Sequence, residues 1–190
     1  ITTGISLSSG AGWTNTLFGP NDRVNVGLVG CRNQGFYVLK EFLKTGHVNC
    51  LGLCDIDQNI LDEKRVEVKR DFQQTPKTYG DFRNMLEDKN IDAVIVATPD
   101  HWHALIAIEA CKANKDIYLE KPLTFTIKEG QELVKAVRAN NIVLAVGSMQ
   151  RSYENFQHAV KMVQKERIGK IEKVYACVGG PPKPFDLPKQ

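Results

Sequence analysis

The most constraining feature of this sequence is an alternation of two patterns that repeats five times after Arg23. Short, continuous apolar runs occupy residues 24–29, 48–54, 92–98, 116–120 and 142–147. Segments with helical spacing follow them at about 35–45, 57–72, 81–88, 102–114 and 127–140. Continuous apolar runs are typical of strands buried on both faces of a parallel sheet. The alternation therefore predicts an α/β fold with a doubly wound parallel sheet, whose strands all end at the one edge where ligands bind.

Local signals agree with this pattern at the ends of two helices. Thr126 and Glu129 have the spacing of a capping box, which predicts a helix beginning near residue 127. Gly46 follows Thr45 at the predicted end of the first helix, where glycine is favoured.

Composition excludes several classes of protein. The 190 residues carry a net charge of +3, and 42% are hydrophobic, which is typical of a globular chain. The small basic excess is spread along the chain, so no nucleic-acid partner is predicted, and no apolar stretch is long enough to span a membrane.

The five cysteines are predicted to be buried thiols. Their odd number and the lack of a CxxC pair argue against a disulfide framework and a zinc site. Cys50 and Cys54 are expected on the same face of one strand, because alternate strand residues share a face. This usage allows a reducing compartment without establishing one.

The two ends of the chain differ from the central region. Residues 1–22 are rich in Gly, Ser and Thr and contain no Lys or Arg, as in a flexible leader or the remnant of an export signal. The compartment, cytoplasmic or exported, therefore stays open. After a nucleotide domain at 23–150, residues 151–190 are expected to hold a linker helix at about 153–167 and a first strand in 168–180. That segment would be the beginning of a second, α+β domain.

A loop directly after the first run has glycines at two of the three positions expected in a dinucleotide-binding turn. Gly30 and Gly35 fill the first and third positions, and Asn33 lies between them. Arg32 occupies the second position, where it either crowds a bound diphosphate or adds a cation beside it. The loop is weak as a signal by itself.

An acidic residue strengthens the dinucleotide interpretation. Asp55 follows the second run, 20 residues after Gly35, where a carboxylate accepts the ribose hydroxyls of NAD and repels the 2′-phosphate of NADP. Asp55 could instead cap the next helix, but Asp57 is better placed for that. NAD is therefore favoured over NADP, although Arg32 could accept a 2′-phosphate and soften the preference.

Two further clusters follow strands at the same predicted edge. His101 and His103 could suggest a metal pair, but zinc needs more protein ligands and no other cluster supplies them, so no metal site is predicted. Glu120 and Lys121 could form a surface ion pair of little consequence. Alternatively, Lys121, at the end of a strand and followed by Pro122, is well placed to donate to a ligand oxygen.

The chain resembles the glucose–fructose oxidoreductase, inositol dehydrogenase and MocA (Gfo/Idh/MocA) family. The resemblance covers about residues 23–178 and lies in VNVGLVGCRNQG, CDID, ATPDHWHALIAIEACKANKDIYLEKPL and VGSMQRS. It implies a Rossmann domain that binds NAD or NADP, and hydride transfer to or from a sugar or cyclitol carbon.

The resemblance also implies roles for residues at the edge. Lys121 would be the catalytic lysine that orients the substrate hydroxyl and the nicotinamide, aimed by a cis bond to Pro122. Thr98, Pro99 and His103 would line the nicotinamide ribose, and Gln150 would lie where the chain leaves the cofactor domain. With the loop residues, Asp55 and Glu120, they form the predicted cofactor site.

Two considerations leave the function open: the sequence departs from the family pattern, and the family includes proteins with different functions. Arg32 replaces a common glycine, and the acid/base histidine usually comes from the second domain, for which His158 is not a substitute. The same family includes NAD-dependent glycosidases and NAD-binding sensors or corepressors, which are the alternatives to a dehydrogenase. Relatives commonly pair through the second domain, so a homo-oligomer would form there.

Overall fold

The computed structural model describes residues 23–177 and 179, and the predicted leader at 1–22 and the proline-rich tail lie outside the described residues. The described part divides into two compact units, and the boundary along the chain lies between Gly147 and Ser148. The first unit contains a parallel sheet and five helices. The second contains a 3₁₀ turn, Met149–Ser152, and helix α6, Glu154–Gln164.

The first unit is a six-stranded parallel sheet. The strands are β1 (Val24–Val29), β2 (Val48–Cys54), β3 (Lys77–Tyr79), β4 (Ala93–Val96), β5 (Asp116–Glu120) and β6 (Leu144–Gly147). The helices are α1 (Asn33–Lys44), α2 (Gln58–Phe72), α3 (Phe82–Leu86), α4 (Asp100–Lys112) and α5 (Ile127–Asn140). The strand order is β3-β2-β1-β4-β5-β6, so chain direction across the sheet reverses between β1 and β4. The doubly wound α/β prediction is confirmed.

Two separate apolar clusters cover the two faces of this sheet. One cluster joins β1 and β2 to buried residues of α1 and α2, among them Leu39 and Leu61. The other joins β4 and β5 to α3, α4 and α5, and includes Met85, Ile106 and Leu133. Burial on both faces explains why the strands appear in the sequence as continuous apolar runs.

Strand β3 was not predicted. It comprises only Lys77–Tyr79, pairs with β2 at the edge of the sheet, and contains one lysine and no aliphatic residue. An edge strand buries less of its surface than a central strand, so it does not need the apolar run that identifies the others.

The prediction that Cys50 and Cys54 share a face is wrong. Val26 pairs with Cys50 and Gly27 pairs with Gly52, so Leu51 is an extra residue in β2. A bulge of this kind reverses the alternation of side chains beyond it. Cys50 consequently packs in the α1–α2 cluster and Cys54 in the opposite one. Both thiols are buried, as expected, together with Cys31 and Cys111, whereas Cys177 is exposed.

The strand predicted within residues 168–180 is also wrong for the part that the structure describes. Residues 169–177 have neither helix nor strand, and Val174 and Tyr175 are largely exposed. A β-branched run becomes a strand only when a neighbouring strand pairs with it, and none of the described residues pairs with this one. The preceding helix is present as α6.

The helix-end predictions are confirmed. The Thr126 hydroxyl accepts a hydrogen bond from the Glu129 backbone N–H, and the Glu129 carboxylate accepts one from the Thr126 N–H, which completes the capping box. Gly46 follows the C-cap of α1 with a positive φ of 76°, a conformation that favours glycine.

Candidate functional site

The loop between β1 and α1 requires glycine at both ends. Gly30 has a φ of 90°, and a Cβ there would lie 2.6 Å from the Ala97 carbonyl oxygen. A Cβ on Gly35 would lie 2.0 Å from the Gly30 carbonyl oxygen. These distances leave no room for a side chain, so the loop folds tightly over the start of α1. Asn33, which is exposed, takes a positive φ of 26° in the same turn.

The helices that follow the two strands at the reversal point differ from their neighbours. α2, α3 and α5 each begin with a side chain that accepts hydrogen bonds from the first turn, namely those of Asp57, Asp81 and Thr126. The N-cap residues of α1 and α4 are Arg32 and Pro99, and neither provides a side-chain cap. The amino ends of α1 and α4 therefore lack a side-chain acceptor of this kind. α4 has an acidic residue, Asp100, in its first turn, whereas α1 has none, so the amino end of α1 is the one that suits an anionic ligand.

Asp55 lies beside the glycine loop, as the sequence predicts. Its Oδ2 accepts a hydrogen bond of 2.9 Å from the Cys31 backbone N–H, and its Oδ1 accepts one of 3.1 Å from the Asp57 N–H. These two bonds fix the carboxylate next to the turn. Asp57 caps α2 through Oδ1, which accepts from the Asn59 N–H at 2.9 Å, so the prediction that Asp57 is the helix cap is confirmed.

Arg32 does not lie unpaired over the loop. Its guanidinium Nη2 contacts Oδ2 of Asp57, while 59% of its side chain remains exposed. This pairing was not foreseen, because nothing in the spacing of Arg32 and Asp57 indicates that a loop residue reaches the cap of the second helix.

Glu120 is a buried carboxylate and not half of a surface ion pair. It is only 4% exposed; its Oε2 accepts from the Lys121 backbone N–H at 3.2 Å. Its Oε1 accepts from the Gln34 amide at 3.2 Å, which joins α1 to β5. A Cβ on Gly147 would lie 2.7 Å from the same Oε1, so a side chain at this position of β6 would displace the carboxylate from where it now lies. Burial and the adjacent Glu120 raise the pKa of Tyr118, so that phenol stays protonated.

Lys121 is exposed immediately after Glu120, at the carboxyl end of β5. No ion pair among the described residues engages its ammonium group. The peptide bond from Lys121 to Pro122 is cis, as the resemblance implied. The Lys121 N–H is bonded to the Glu120 carboxylate, while the residue itself is exposed to solvent.

His103 is the most buried polar residue of the group, at 1% exposure. Its Nδ1 lies 2.7 Å from the Pro122 carbonyl oxygen, and its Nε2 lies 2.8 Å from the Thr98 carbonyl oxygen. The ring therefore bridges the segments that follow β4 and β5 and is not open to a ligand. The Thr98 hydroxyl is also buried and has no hydrogen-bond partner in the described structure.

Pro99 is exposed next to Thr98 at the start of α4. Gln150 lies in the 3₁₀ turn of the second unit, so of the predicted site residues it alone falls outside the first unit. The others lie at or beside the carboxyl ends of β1, β2, β4 and β5.

Neither metal coordination nor thiol chemistry is suggested by this edge. No three His, Cys, Asp or Glu side chains gather as a metal site within the described residues. Burial raises the pKa of the Cys31 thiol in the loop far above its ordinary value, and it raises that of Cys54 to about 12. Both thiols stay protonated and unreactive near neutral pH. No described helix has the length and apolar character needed to cross a membrane.

Comparison with known proteins matches residues 24–148 to the family model described as an oxidoreductase family with an NAD-binding Rossmann fold, GFO_IDH_MocA. The chain belongs to this family. The match covers the whole sheet of the first unit, and the glycine cradle with Asp55 beside it fits a dinucleotide. The Gfo/Idh/MocA resemblance predicted from the sequence is confirmed.

Two solved structures of inositol dehydrogenases are similar to this Gfo/Idh/MocA chain. The myo-inositol 2-dehydrogenase of Lactobacillus plantarum has 25% identity and a TM-score of 0.70, covering 78% of this chain and 43% of that one. The myo-inositol dehydrogenase of Lactobacillus casei, solved with NAD(H) and myo-inositol, has 26% identity and a TM-score of 0.67, covering 77% and 43%.

A curated relative has a different description. A glycosyl hydrolase family 109 protein of Shewanella putrefaciens is 32% identical over 117 residues, which are 60% of this chain and 26% of that protein. The chain thus spans less than half the length of each of these relatives.

Proposed function

We propose that this chain is the NAD-binding part of a dehydrogenase that moves a hydride to or from a hydroxyl-bearing carbon of a sugar or cyclitol. The observation that supports it most is the position of Lys121, whose ammonium group has no ion-pair partner in the described structure and whose backbone is fixed beside the cofactor loop through Glu120 and Gln34. The similar structures include an enzyme solved with myo-inositol.

In this proposal, residues at the carboxyl edge of the sheet bind different parts of NAD. Gly30 and Gly35 would admit the diphosphate to the start of α1, Asp55 would accept the ribose hydroxyls, and Pro99 would lie beside the nicotinamide ribose. A bound nicotinamide supplies the hydride chemistry.

Lys121 is proposed to act on the substrate, in contrast to the residues that hold NAD. Its ammonium group would donate to the substrate oxygen at the reacting carbon, which stabilises the negative charge that develops as the hydroxyl proton leaves. Because a lysine ammonium has no acceptor, a separate base must take that proton. A protein that only senses NAD has no chemical need for such a lysine, which favours an enzyme over a sensor or corepressor.

A second function, NAD-dependent glycoside cleavage, is favoured by the 32% identity to the glycosyl hydrolase relative. It would use the same cofactor residues and Lys121. The two functions differ in their products: a dehydrogenase accumulates NADH from a free cyclitol, whereas a glycosidase releases sugar from a glycoside without net NADH formation. Assaying a protein that contains this chain for both products distinguishes them.

The cofactor proposal is tested by fluorescence titration of the chain with NADH and with NADPH. Asp55 favours NADH, and Asp55→Ala should weaken NADH binding by about 10- to 100-fold, the effect of losing charge-assisted hydrogen bonds to two hydroxyls. NADPH binding should weaken less or improve, because the repulsion of the 2′-phosphate is removed as well. Equal affinity of the unsubstituted chain for both coenzymes would contradict the NAD preference.

Asp62→Ala is the matched control for this titration. Asp62 is an exposed aspartate on α2 that bonds only to the Gln58 amide, at 2.9 Å. Its removal changes the charge by the same amount and should leave both affinities unchanged.

A further inference from the structure

Arg32 and Asp57 form an ion pair beside the proposed ribose site, and each partner also has a backbone role. Arg32 is the N-cap of α1, and its carbonyl oxygen accepts from the Gly35 N–H at 3.0 Å. Asp57 is the N-cap of α2, which uses Oδ1, so that Oδ2 remains for the Arg32 guanidinium. The pair therefore connects the starts of the two helices that follow β1 and β2.

This pair closes a ring of contacts that includes Asp55. Asp55 accepts from the Cys31 N–H and from the Asp57 N–H, and Cys31 is bonded covalently to Arg32. The Arg32 guanidinium is consequently held by Asp57, which lies two residues after Asp55, the carboxylate proposed to bind the ribose. Any phosphate on the 2′-oxygen of a bound adenosine would lie in the field of all three charged groups.

The charges in this ring have opposite effects on a 2′-phosphate. Asp55 and Asp57 repel it, whereas a guanidinium binds phosphate strongly through paired N–H donors. In the ion pair, the charge of Arg32 is offset by Asp57. While Asp57 engages Arg32, the presence of this arginine in the loop is compatible with a preference for NAD.

We infer that the Arg32–Asp57 ion pair is a determinant of coenzyme specificity, because it keeps Arg32 from binding the 2′-phosphate of NADP. The inference rests on the proposed NAD-binding function and adds a second determinant to Asp55. The pair is largely exposed on the Arg32 side, and exposed pairs contribute little. Its effect is therefore smaller than that of Asp55.

The test compares the dissociation constants of NADH and NADPH for four forms of the chain: unsubstituted, Asp57→Asn, Arg32→Ala and the double variant. Asparagine is as good an N-cap as aspartate, so α2 should be retained. Titrations at low ionic strength reduce screening of the charges. Asp57→Asn should improve NADPH binding relative to NADH by about three- to fivefold, which is the scale of an exposed ion pair.

The double variant decides whether Arg32 is responsible. If release of Arg32 causes the gain, the double variant should lose it. Arg32→Ala alone should bring no improvement of NADPH relative to NADH, because it removes the guanidinium and leaves the Asp57 charge without its counter-ion. A gain that persists in the double variant would mean that only repulsion by Asp57 was removed, and the inference would be wrong. If Asp57→Asn improved the affinity for NADH and NADPH equally, the released Arg32 would be binding the diphosphate that both coenzymes share. That result would also overturn the inference.

Asp71→Asn is the matched control. Asp71 also pairs with an arginine, Arg70, at 2.6 Å, but it lies at the other end of α2. With a rise of 1.5 Å per residue, that end is about 20 Å from Asp57. The ratio of the NADH and NADPH dissociation constants should not change in Asp71→Asn. Failure of the unsubstituted chain to bind NADH would refute the proposed function itself, whereas NADH binding with an unchanged ratio in Asp57→Asn would refute this inference alone.

Discussion

The proposed cofactor loop can form only if Gly35 has no side chain. A methyl group at this position would lie 2.0 Å from the Gly30 carbonyl oxygen, which is backbone and cannot move aside without opening the turn. We expect Gly35→Ala to lower the free energy of unfolding by about 2–3 kcal/mol, as overpacking does, and to abolish NADH binding. Denaturant unfolding and the NADH titration measure the two effects.

Gly80 provides the control for this substitution. It lies between β3 and α3, and a Cβ there would meet no atom within 4 Å. Gly80→Ala should therefore leave both stability and NADH affinity nearly unchanged. If Gly35→Ala behaved in the same way, the tight turn described for this loop would be incorrect.

The structural role of a residue could be predicted from the sequence where its type and its position beside a helix favour one role. Asp57 was identified as a helix cap and the two glycines as turn residues, because both uses follow from the residue and its place beside a helix. The partners of Arg32 and Glu120 were not identified. Such contacts join residues that are 25 and 86 positions apart, and side chains at these separations meet only after the sheet has formed.

Among the elements, the segments after β4 and β5 are joined by one side chain, that of His103. Its two ring nitrogens face the carbonyl oxygens of Thr98 and Pro122, and a neutral imidazole can donate to only one of them at a time. The resemblance placed this histidine against the nicotinamide ribose. Its burial instead supports a positioning role, in which it fixes the backbone next to Lys121.

His103→Ala tests that positioning role. The variant loses the buried hydrogen bonding and leaves a cavity, so the free energy of unfolding should fall by about 2–4 kcal/mol. Amide hydrogen exchange should increase in peptides covering residues 97–104 and 119–126, whereas β2 should be unaffected. Mass spectrometry of the exchanged peptides measures this difference.

Two further variants separate positioning from general destabilisation. His103→Gln keeps a donor and should restore part of the protection at one of the two segments. His101→Ala removes the exposed neighbouring histidine and should change neither stability nor exchange. Unchanged exchange in 119–126 of His103→Ala would show that this histidine does not hold the Lys121 segment.

The elements themselves were largely predictable, and the exceptions have a common cause. β1, β2 and β5 have the bounds that their apolar runs indicate, because both faces of these strands are buried. β3, the extra residue Leu51 and the unpaired segment 169–177 were missed. Each depends on pairing with a neighbouring strand, and pairing is not expressed in the local pattern of one strand.

For the molecule as a whole, we expect different outcomes for cofactor binding and for turnover. The family match at 24–148 lies almost entirely in the first unit, and the chain covers 43% of each of the two inositol dehydrogenases compared above. In the proposed reaction Lys121 would be a donor, and a base is also needed to accept the hydroxyl proton. We therefore expect residues 1–190 alone to bind NADH and to oxidise polyols poorly or not at all.

This expectation is checked by supplying the chain with NAD and a series of cyclitols and sugars and following the absorbance of NADH. Lys121→Ala is the reference, because it removes the proposed donor from an exposed position and should not disturb the fold. The unsubstituted chain should form no more NADH than this variant does, while its NADH titration still shows binding. NADH formation that depends on Lys121 would show instead that these residues contain a complete set of catalytic groups, and the base would then have to be sought among them.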